Sequence, residues 1–186
     1  MTPIKTTVIP ILPSTHVRST QGDRWLFKVS DEYLLEYDNK RVLEGGKVGG
    51  NRRRKAQLEK YNAYKQEIRW WAAKNNFTMP VGYFALWFYV PMPKSWRKKK
   101  RAEMLYMPHD NTPDWDNFIK ALFDSLMPRK SKTKGEKGSD DRRIHCGAVF
   151  KIWVSDDECC IKILEYNKND FEKVFIDGHP KKVADL

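Results

Sequence analysis

Four acidic residues and one lysine, grouped in one part of the chain, are the residues best suited to chemistry. Asp114 and Asp116 stand two positions apart, Lys120 follows one helical turn later, and Asp140 and Asp141 come after a basic stretch. Two ionised carboxylates this close repel each other unless a cation lies between them. Carboxylate oxygens suit Mg²⁺, with Mn²⁺ as an alternative. The pattern predicts a divalent-metal site, with the lysine placed to meet a phosphate that the metal also contacts.

The lysine and the first acidic pair lie in a segment whose spacing predicts a helix over residues 115–127. At about 100° per residue, one side of it is apolar and predicted to be core: Trp115, Phe118, Ile119, Leu122, Phe123 and Leu126. The polar side carries Asp116, Asn117, Lys120 and Asp124. Asp114 and Asp116 converge only if the helix begins between them, and Pro113 is a natural start signal. The polar side is either a metal site or a solvated face, whose i,i+4 ion pairs would each contribute about 0.2–0.5 kcal/mol.

The net charge indicates a polyanionic partner. The chain has 35 Lys and Arg residues against 24 Asp and Glu, a formal charge of +11, which favours nucleic acid before an anionic membrane surface. In three basic clusters, the predicted contacts to DNA phosphates are Arg52, Arg53, Arg54, Lys98, Lys99, Lys100, Arg129 and Lys130. Each cluster taken alone is also explained as a solubilising surface run. Trp96, beside the second cluster, either packs into the core, which we favour, or stacks on an unpaired base.

Other kinds of site have no support in the sequence. The cysteines, Cys146, Cys159 and Cys160, fit neither a disulfide framework nor a zinc site. An EF-hand loop and a Gly-x-x-x-x-Gly-Lys phosphate loop are both missing. The longest apolar run, residues 83–92, is too short to span a bilayer, and no secretory signal is found at the N-terminus. We therefore expect a cytoplasmic protein that does not bind membranes.

The helices and strands that must position these residues can be predicted from the sequence pattern. Together they indicate one α+β domain over residues 1–186. Strands are predicted at residues 7–12, 25–29, 33–37, 81–90, 144–154 and 158–166. Helices are predicted at residues 56–73, 115–127 and 169–176, with a short basic helix capped by Ser95. The glycine-containing basic stretches at about 39–55 and 128–139 are predicted to be mobile loops.

One spacing pattern is specific enough to indicate a family. The segment Pro113-Asp114-x-Asp116-Asn117-x-x-Lys120-Ala121-x-x-Asp124-x-Leu126 resembles the signature of the RusA family of Holliday-junction resolvases. The pair at residues 140–141 and a strand lysine, Lys151, fit the downstream part of that signature. Residues 92–101 and His109 resemble a variant common among phage and prophage members. The likeness covers about residues 79–166.

The resemblance implies a fold, an activity and roles for individual residues. The family fold is a small mixed sheet packed with helices, forming an intertwined homodimer, encoded by bacteria or phages. The implied activity is Mg²⁺-dependent cleavage of four-way DNA junctions by paired symmetric nicks. Carried over by position, Asp114, Asp116 and Asp141 would bind the metal, and Lys120 would be the essential lysine near the scissile phosphate.

Two rival functions remain open at this stage. One is a non-catalytic branched-DNA binding protein, and the other is a metal nuclease that cuts flaps or single strands. The carboxylate set favours an enzyme over a binder, because pure binding would gain from neutralising these charges. The apparent insertion at residues 21–55 and the long basic loop at 128–139 depart from compact family members.

Overall fold

The computed structural model describes residues 2–17, 20–45, 50–127, 144 and 146–176. In chain order, the strands and α-helices of these residues are β1 (Lys5–Ile9), α1 (Asp31–Leu43), α2 (Gly50–Lys74), β2 (Tyr83–Pro91), α3 (Lys98–Met104), α4 (Trp115–Leu126), β3 (Cys146–Val154), β4 (Cys160–Tyr166) and α5 (Lys168–Phe171). Short 3₁₀-helices cover Gln21–Phe27 and Asp156–Glu158, and a π-helical turn at Glu172–Ile176 follows α5. The predicted α+β class is confirmed.

The strands form a mixed sheet in the order β1-β4-β2-β3. Strand β2 pairs antiparallel with β4 and parallel with β3, while β1 pairs antiparallel with β4. A parallel neighbour requires a crossover connection. The connection from β2 to β3 contains α3 and α4, so the predicted site lies on the crossover. The predicted strands at 81–90, 144–154 and 158–166 are confirmed, and β1 lies slightly before its predicted position.

Strand β2 is buried on both faces, which explains its almost wholly apolar sequence. Phe84, Leu86 and Phe88 lie in the core cluster shared with α2 and α4. Ala85 and Trp87 lie in a second cluster on the opposite face, which also contains Phe171 of α5. The sheet is therefore covered on both sides, with α4 held on the face of the larger cluster.

Helices α2 and α4 pack together as their apolar spacing predicts. The buried residues of α2 are Leu58, Tyr61, Tyr64, Ile68 and Ala72. At the C-terminal end of α4, the guanidinium of Arg69 donates to the carbonyls of Asp124 at 2.9 Å and Ser125 at 3.1 Å, satisfying acceptors that a helix end leaves open. The prediction that Trp115 is core is wrong, since it is 57% exposed. Helical side chains lean toward the N-terminus of the helix. The side chain of the first residue, Trp115, therefore points beyond the packed turns.

The strands predicted at 25–29 and 33–37 are wrong. Residues Gln21–Phe27 form a 3₁₀-helix, and α1 begins where Ser30 accepts a hydrogen bond from the Tyr33 amide. Leu26, Leu34 and Leu58 form a small core of their own. Segments of five residues are too short to distinguish the two periods, and packing against α2 decides the helical form.

The prediction of a mobile loop at about 39–55 is also wrong for residues 39–43 and 50–55, which are helical. Residues up to Leu43 continue α1, and α2 begins at Gly50. The buried carboxylate of Asp38 accepts from the amides of Asn51 at 3.3 Å and Arg52 at 3.2 Å. Amides in the first turn of a helix lack intrahelical partners, so this contact stabilises the start of α2.

Two further predictions concern the connections around the site. Ser95 does not cap α3, because the Trp96 amide closes a turn on the Pro93 carbonyl at 3.0 Å and Arg97 occupies the cap position. The loop predicted at 128–139 lies outside the described residues. No helix among the described residues is long and apolar enough to cross a membrane.

Candidate active site

The segment before α4 runs along strand β3. The Tyr106 amide donates to the Trp153 carbonyl at 2.8 Å, and the Trp153 amide donates back to Met107 at 2.9 Å. Further along, the His109 amide donates to the Lys151 carbonyl at 2.9 Å. These bonds fix the segment against the β3 side of the sheet, so the residues that follow enter α4 from a defined position.

Lys151 holds the next part of that segment. Its ammonium Nζ donates to the carbonyls of Asn111 at 3.1 Å and Pro113 at 3.0 Å. Burial lowers the pKa of Lys151, whereas the charges of Asp114 and Asp110 act in the opposite direction. A strand residue thus ties down the backbone that precedes the first predicted metal ligand. The sequence indicated Lys151 only through the family resemblance, and no local pattern reveals a contact with carbonyls about 40 positions away.

The two carboxylates flank the first residue of α4, as the chemistry requires. Asp114 occupies the N-cap position with extended backbone, and the helix begins at Trp115. The Asp114 side chain caps no amide of the helix, while Asp116 lies in the first turn. Both are close to the positive end of the helix dipole, which favours ionised carboxylates. The predicted helix start between the two aspartates is confirmed.

Lys120 lies one turn further along the same exposed face. Its Nζ is 3.1 Å from Asp116 Oδ2, and the two side chains are 59% and 46% exposed. An exposed i,i+4 pair of this kind contributes about 0.3–0.5 kcal/mol. Little stability is therefore lost if Asp116 turns to a metal and Lys120 to a phosphate.

The donor chemistry of Asp114 and Asp116 fits a hard cation such as Mg²⁺, because both are carboxylates, Asp114 being exposed and the Asp116 side chain 46% exposed. The third predicted ligand, Asp141, and its neighbour Asp140 lie outside the described residues, as do Arg129 and Lys130. Among the residues that are described, no group of three or more His, Cys, Asp or Glu side chains is placed to hold a metal ion. The complete three-carboxylate set therefore stays a prediction.

Asp124, two turns beyond Asp116, has a different environment. Its Oδ2 accepts a hydrogen bond from the Tyr61 hydroxyl at 2.9 Å and lies 3.7 Å from His16 Nε2. Burial, followed by this hydrogen bond, raises the pKa of Tyr61. Asp124 thus joins α4 to α2 and to the N-terminal segment. The polar side of α4 therefore has one part with the exposed Asp116–Lys120 pair and another that contacts neighbouring elements.

A stack of rings connects the site to the basic helix α3. His109 is buried and stacks on Trp153 with ring centroids 3.9 Å apart, and Trp153 meets Trp96 edge-on at 5.0 Å. Lys100 Nζ lies 4.1 Å from the centroid of the Trp96 ring. Burial, with the charge of Lys151 as a second cause, lowers the pKa of His109 and favours neutral imidazole. Trp96 is therefore packed against the protein, as favoured above.

The predicted DNA-binding residues are not all equally available. Lys98, Lys99 and Lys100 are exposed on α3, and Arg52 and Arg53 are exposed in the first turn of α2. Arg54 instead lies 3.0 Å from Asp23, where Nε and Nη2 contact the two carboxylate oxygens. Its role in DNA binding stays a prediction, and a DNA phosphate would have to compete with Asp23 for the Arg54 guanidinium.

The chain was compared with families and with individual proteins. The family model described as Endodeoxyribonuclease RusA matches residues 44–164, well over half of the chain. The matched region runs from the end of α1 into β4 and includes Asp114, Asp116, Lys120 and Lys151. No curated protein and no solved structure matches the chain.

Proposed function

Because the chain belongs to the RusA family of endodeoxyribonucleases, we propose that it resolves four-way DNA junctions by Mg²⁺-dependent hydrolysis of phosphodiester bonds. The observation that supports this most is the exposed set Asp114, Asp116 and Lys120, on a helix start that Lys151 ties to β3. Side chains that are exposed, charged and held on a fixed backbone are what metal-assisted phosphate chemistry requires.

Each residue of the set has a defined task in this proposal. Asp114 and Asp116, together with Asp141, would hold Mg²⁺, which when bound supplies an activated water and neutralises charge on the phosphate. Lys120 would place positive charge where negative charge develops in the transition state. Lys151 would keep the Asp114 backbone in position through its two carbonyl contacts.

DNA would bind through charge around the acidic set. The exposed lysines of α3, the arginines at the start of α2, and Arg129 and Lys130 would contact backbone phosphates. The stacked rings of Trp96, Trp153 and His109 would keep α3 next to the site. A homodimer would suit the two-fold symmetry of paired nicks.

The test is cleavage of a synthetic four-way junction beside a matched linear duplex and a flap, with Mg²⁺ and then with EDTA. We expect paired symmetric nicks in the junction alone, lost in EDTA. Asp156→Asn is a suitable control, because Asp156 is an exposed carboxylate 3.8 Å from Arg101 and outside the site. Cutting of the flap with the junction intact would assign the site to a flap nuclease. Binding without any cutting would indicate a branched-DNA binding protein.

A further inference from the structure

A groove of about 420 Å³, lined by both polar and apolar side chains, lies between the N-terminal segment and the first half of α2. The side chains lining it that donate hydrogen bonds include Ser14, Thr15, His16, Gln57 and Lys60. Among the described residues, neither Asp nor Glu lines this groove. It is thus rich in donors, a composition that suits a ligand made of acceptors.

The groove begins directly beside the first turn of α4. The His16 amide donates to the carbonyl of Asn117 at 2.9 Å, and Asn117 is the residue after Asp116. The His16 ring meets the Tyr61 ring edge-on, with centroids 5.6 Å apart. The segment carrying Ser14 and Thr15 is therefore held between α4 and α2, next to the predicted metal ligands.

The carboxylates that border the groove are already engaged. Asp23 is paired with Arg54, and its side chain is only 11% exposed. Asp124 accepts the Tyr61 hydroxyl bond and lies near His16. Arg54 offsets the charge of Asp23, and the Tyr61 hydroxyl satisfies one oxygen of Asp124, whereas Lys60 is exposed and lines the groove. The electrostatic character of the groove is therefore not dominated by anions.

We propose that this groove binds a backbone phosphate of the cleaved strand, a short distance along the DNA from the scissile phosphate. A phosphodiester offers only acceptors, and hydroxyl, amide and ammonium groups are its usual partners in proteins. Lys60 supplies charge, while Gln57 and Thr15 supply neutral donors. This inference rests on the proposed function, since it requires DNA at the acidic site.

The first experiment measures the affinity of the full-length protein for a four-way junction in EDTA over a range of salt concentrations. Lys60→Ala should weaken binding several-fold and reduce the slope of log affinity against log salt by about 0.9, the effect of one lost phosphate contact. Gln57→Ala should weaken binding without changing the slope, and Lys60→Arg should restore both. Lys74→Ala is the matched control, because Lys74 is an exposed lysine at the other end of α2, over the ring of Trp70.

A second experiment separates a direct contact from an indirect effect on folding. Junctions carry a single uncharged methylphosphonate at successive positions near the cut. One such position should weaken wild-type binding but leave Lys60→Ala unaffected, since the two changes remove the same contact. Additive effects at every position, or equal affinities for Lys60→Ala and Lys74→Ala, would overturn the inference. Wild-type protein that binds no junction, either in EDTA or with Mg²⁺, would overturn the proposed function itself.

Discussion

The carboxylates that contact the start of α2 and those at the start of α4 differ in their partners. Around α2, Asp23 pairs with Arg54 at 3.0 Å, and Asp31 pairs with Lys55 at 2.7 Å. Hydrogen bonds from these cations are the main reason that the pKa values of both carboxyls lie below their usual range. Asp38 accepts from the amides that open α2.

At the start of α4 the acidic groups have few partners. The side chain of Asp114 makes no capping bond to its helix, and Asp116 has an exposed pair with Lys120. The comparison indicates two uses of the same chemistry. Paired carboxylates fix helices to one another, and carboxylates that the fold leaves available can bind a ligand. The 3₁₀-helix at 21–27 and the whole of α1 precede the matched family region, which begins at residue 44.

The largest effect expected from a single change is that of Lys120→Met. If the α4 group serves chemistry, the cleavage rate should fall by about 10²–10³-fold, as when one electrostatic stabiliser of a transition state is removed. The free energy of unfolding should change by less than about 0.5 kcal/mol, because the pair is exposed. Single-turnover cleavage and urea denaturation measure the two quantities. A large loss of stability with a normal cleavage rate would show that Lys120 stabilises the fold, as the cations paired with Asp23 and Asp31 do.

Lys151→Met removes a cation that positions a carboxylate without pairing closely with it. We expect about a tenfold loss of cleavage rate and a higher Mg²⁺ requirement, since a small displacement of the site is costly. Lys151→Arg should recover part of the rate. Lys162→Met is the control, because Lys162 is also a strand lysine but lies over the ring of Tyr89. Equal Mg²⁺ requirements for both methionine variants would contradict a positioning role.

Asp38→Ala tests whether the carboxylates at the start of α2, Asp23, Asp31 and Asp38, serve stability alone. Loss of an acceptor for helix-opening amides should lower the free energy of unfolding by about 1 kcal/mol. Junction cleavage at saturating Mg²⁺ and saturating DNA should stay at the wild-type rate, because the Asp38 carboxylate binds the start of α2, whereas the predicted metal ligands lie at the start of α4. Denaturation and cleavage assays on the same preparation check both. A variant of unchanged stability but reduced cleavage would show that the two groups are not separate.

The smallest expected effect is a pH dependence that Asp23 produces. Its pKa is lower in the folded chain than the unfolded value of about 3.9, so the group stabilises the fold above that pH and loses this contribution as pH falls through the folded pKa. Asp23→Asn should therefore melt below wild type near neutral pH. The difference should narrow as the pH falls below about 4. Melting curves at several pH values measure this, and a constant difference would contradict the assignment.

Local sequence patterns predicted the elements whose period is strong. The predictions of strand β2 and of helices α2 and α4 were correct, because long apolar stretches and helical spacing are local properties of the sequence. The prediction for the α1 region was wrong, because Leu34 and Asp38 acquire their roles only through contact with α2. The contact of Lys151 with carbonyls about 40 positions earlier is equally a product of the tertiary fold. The acidic pair and Lys120 could be identified, but the contact by which Lys151 fixes the backbone before Asp114 could not.

The carboxylates at the start of α4 are assigned to cleavage, and neither to folding nor to DNA binding, and Asp116→Asn separates these roles. Junction binding, junction cleavage and thermal stability are measured on one preparation of Asp116→Asn with Mg²⁺. We predict binding at least as tight as wild type, no cleavage and an unchanged melting temperature. Loss of both binding and cleavage in a folded protein, or cleavage at the wild-type rate, would contradict the account.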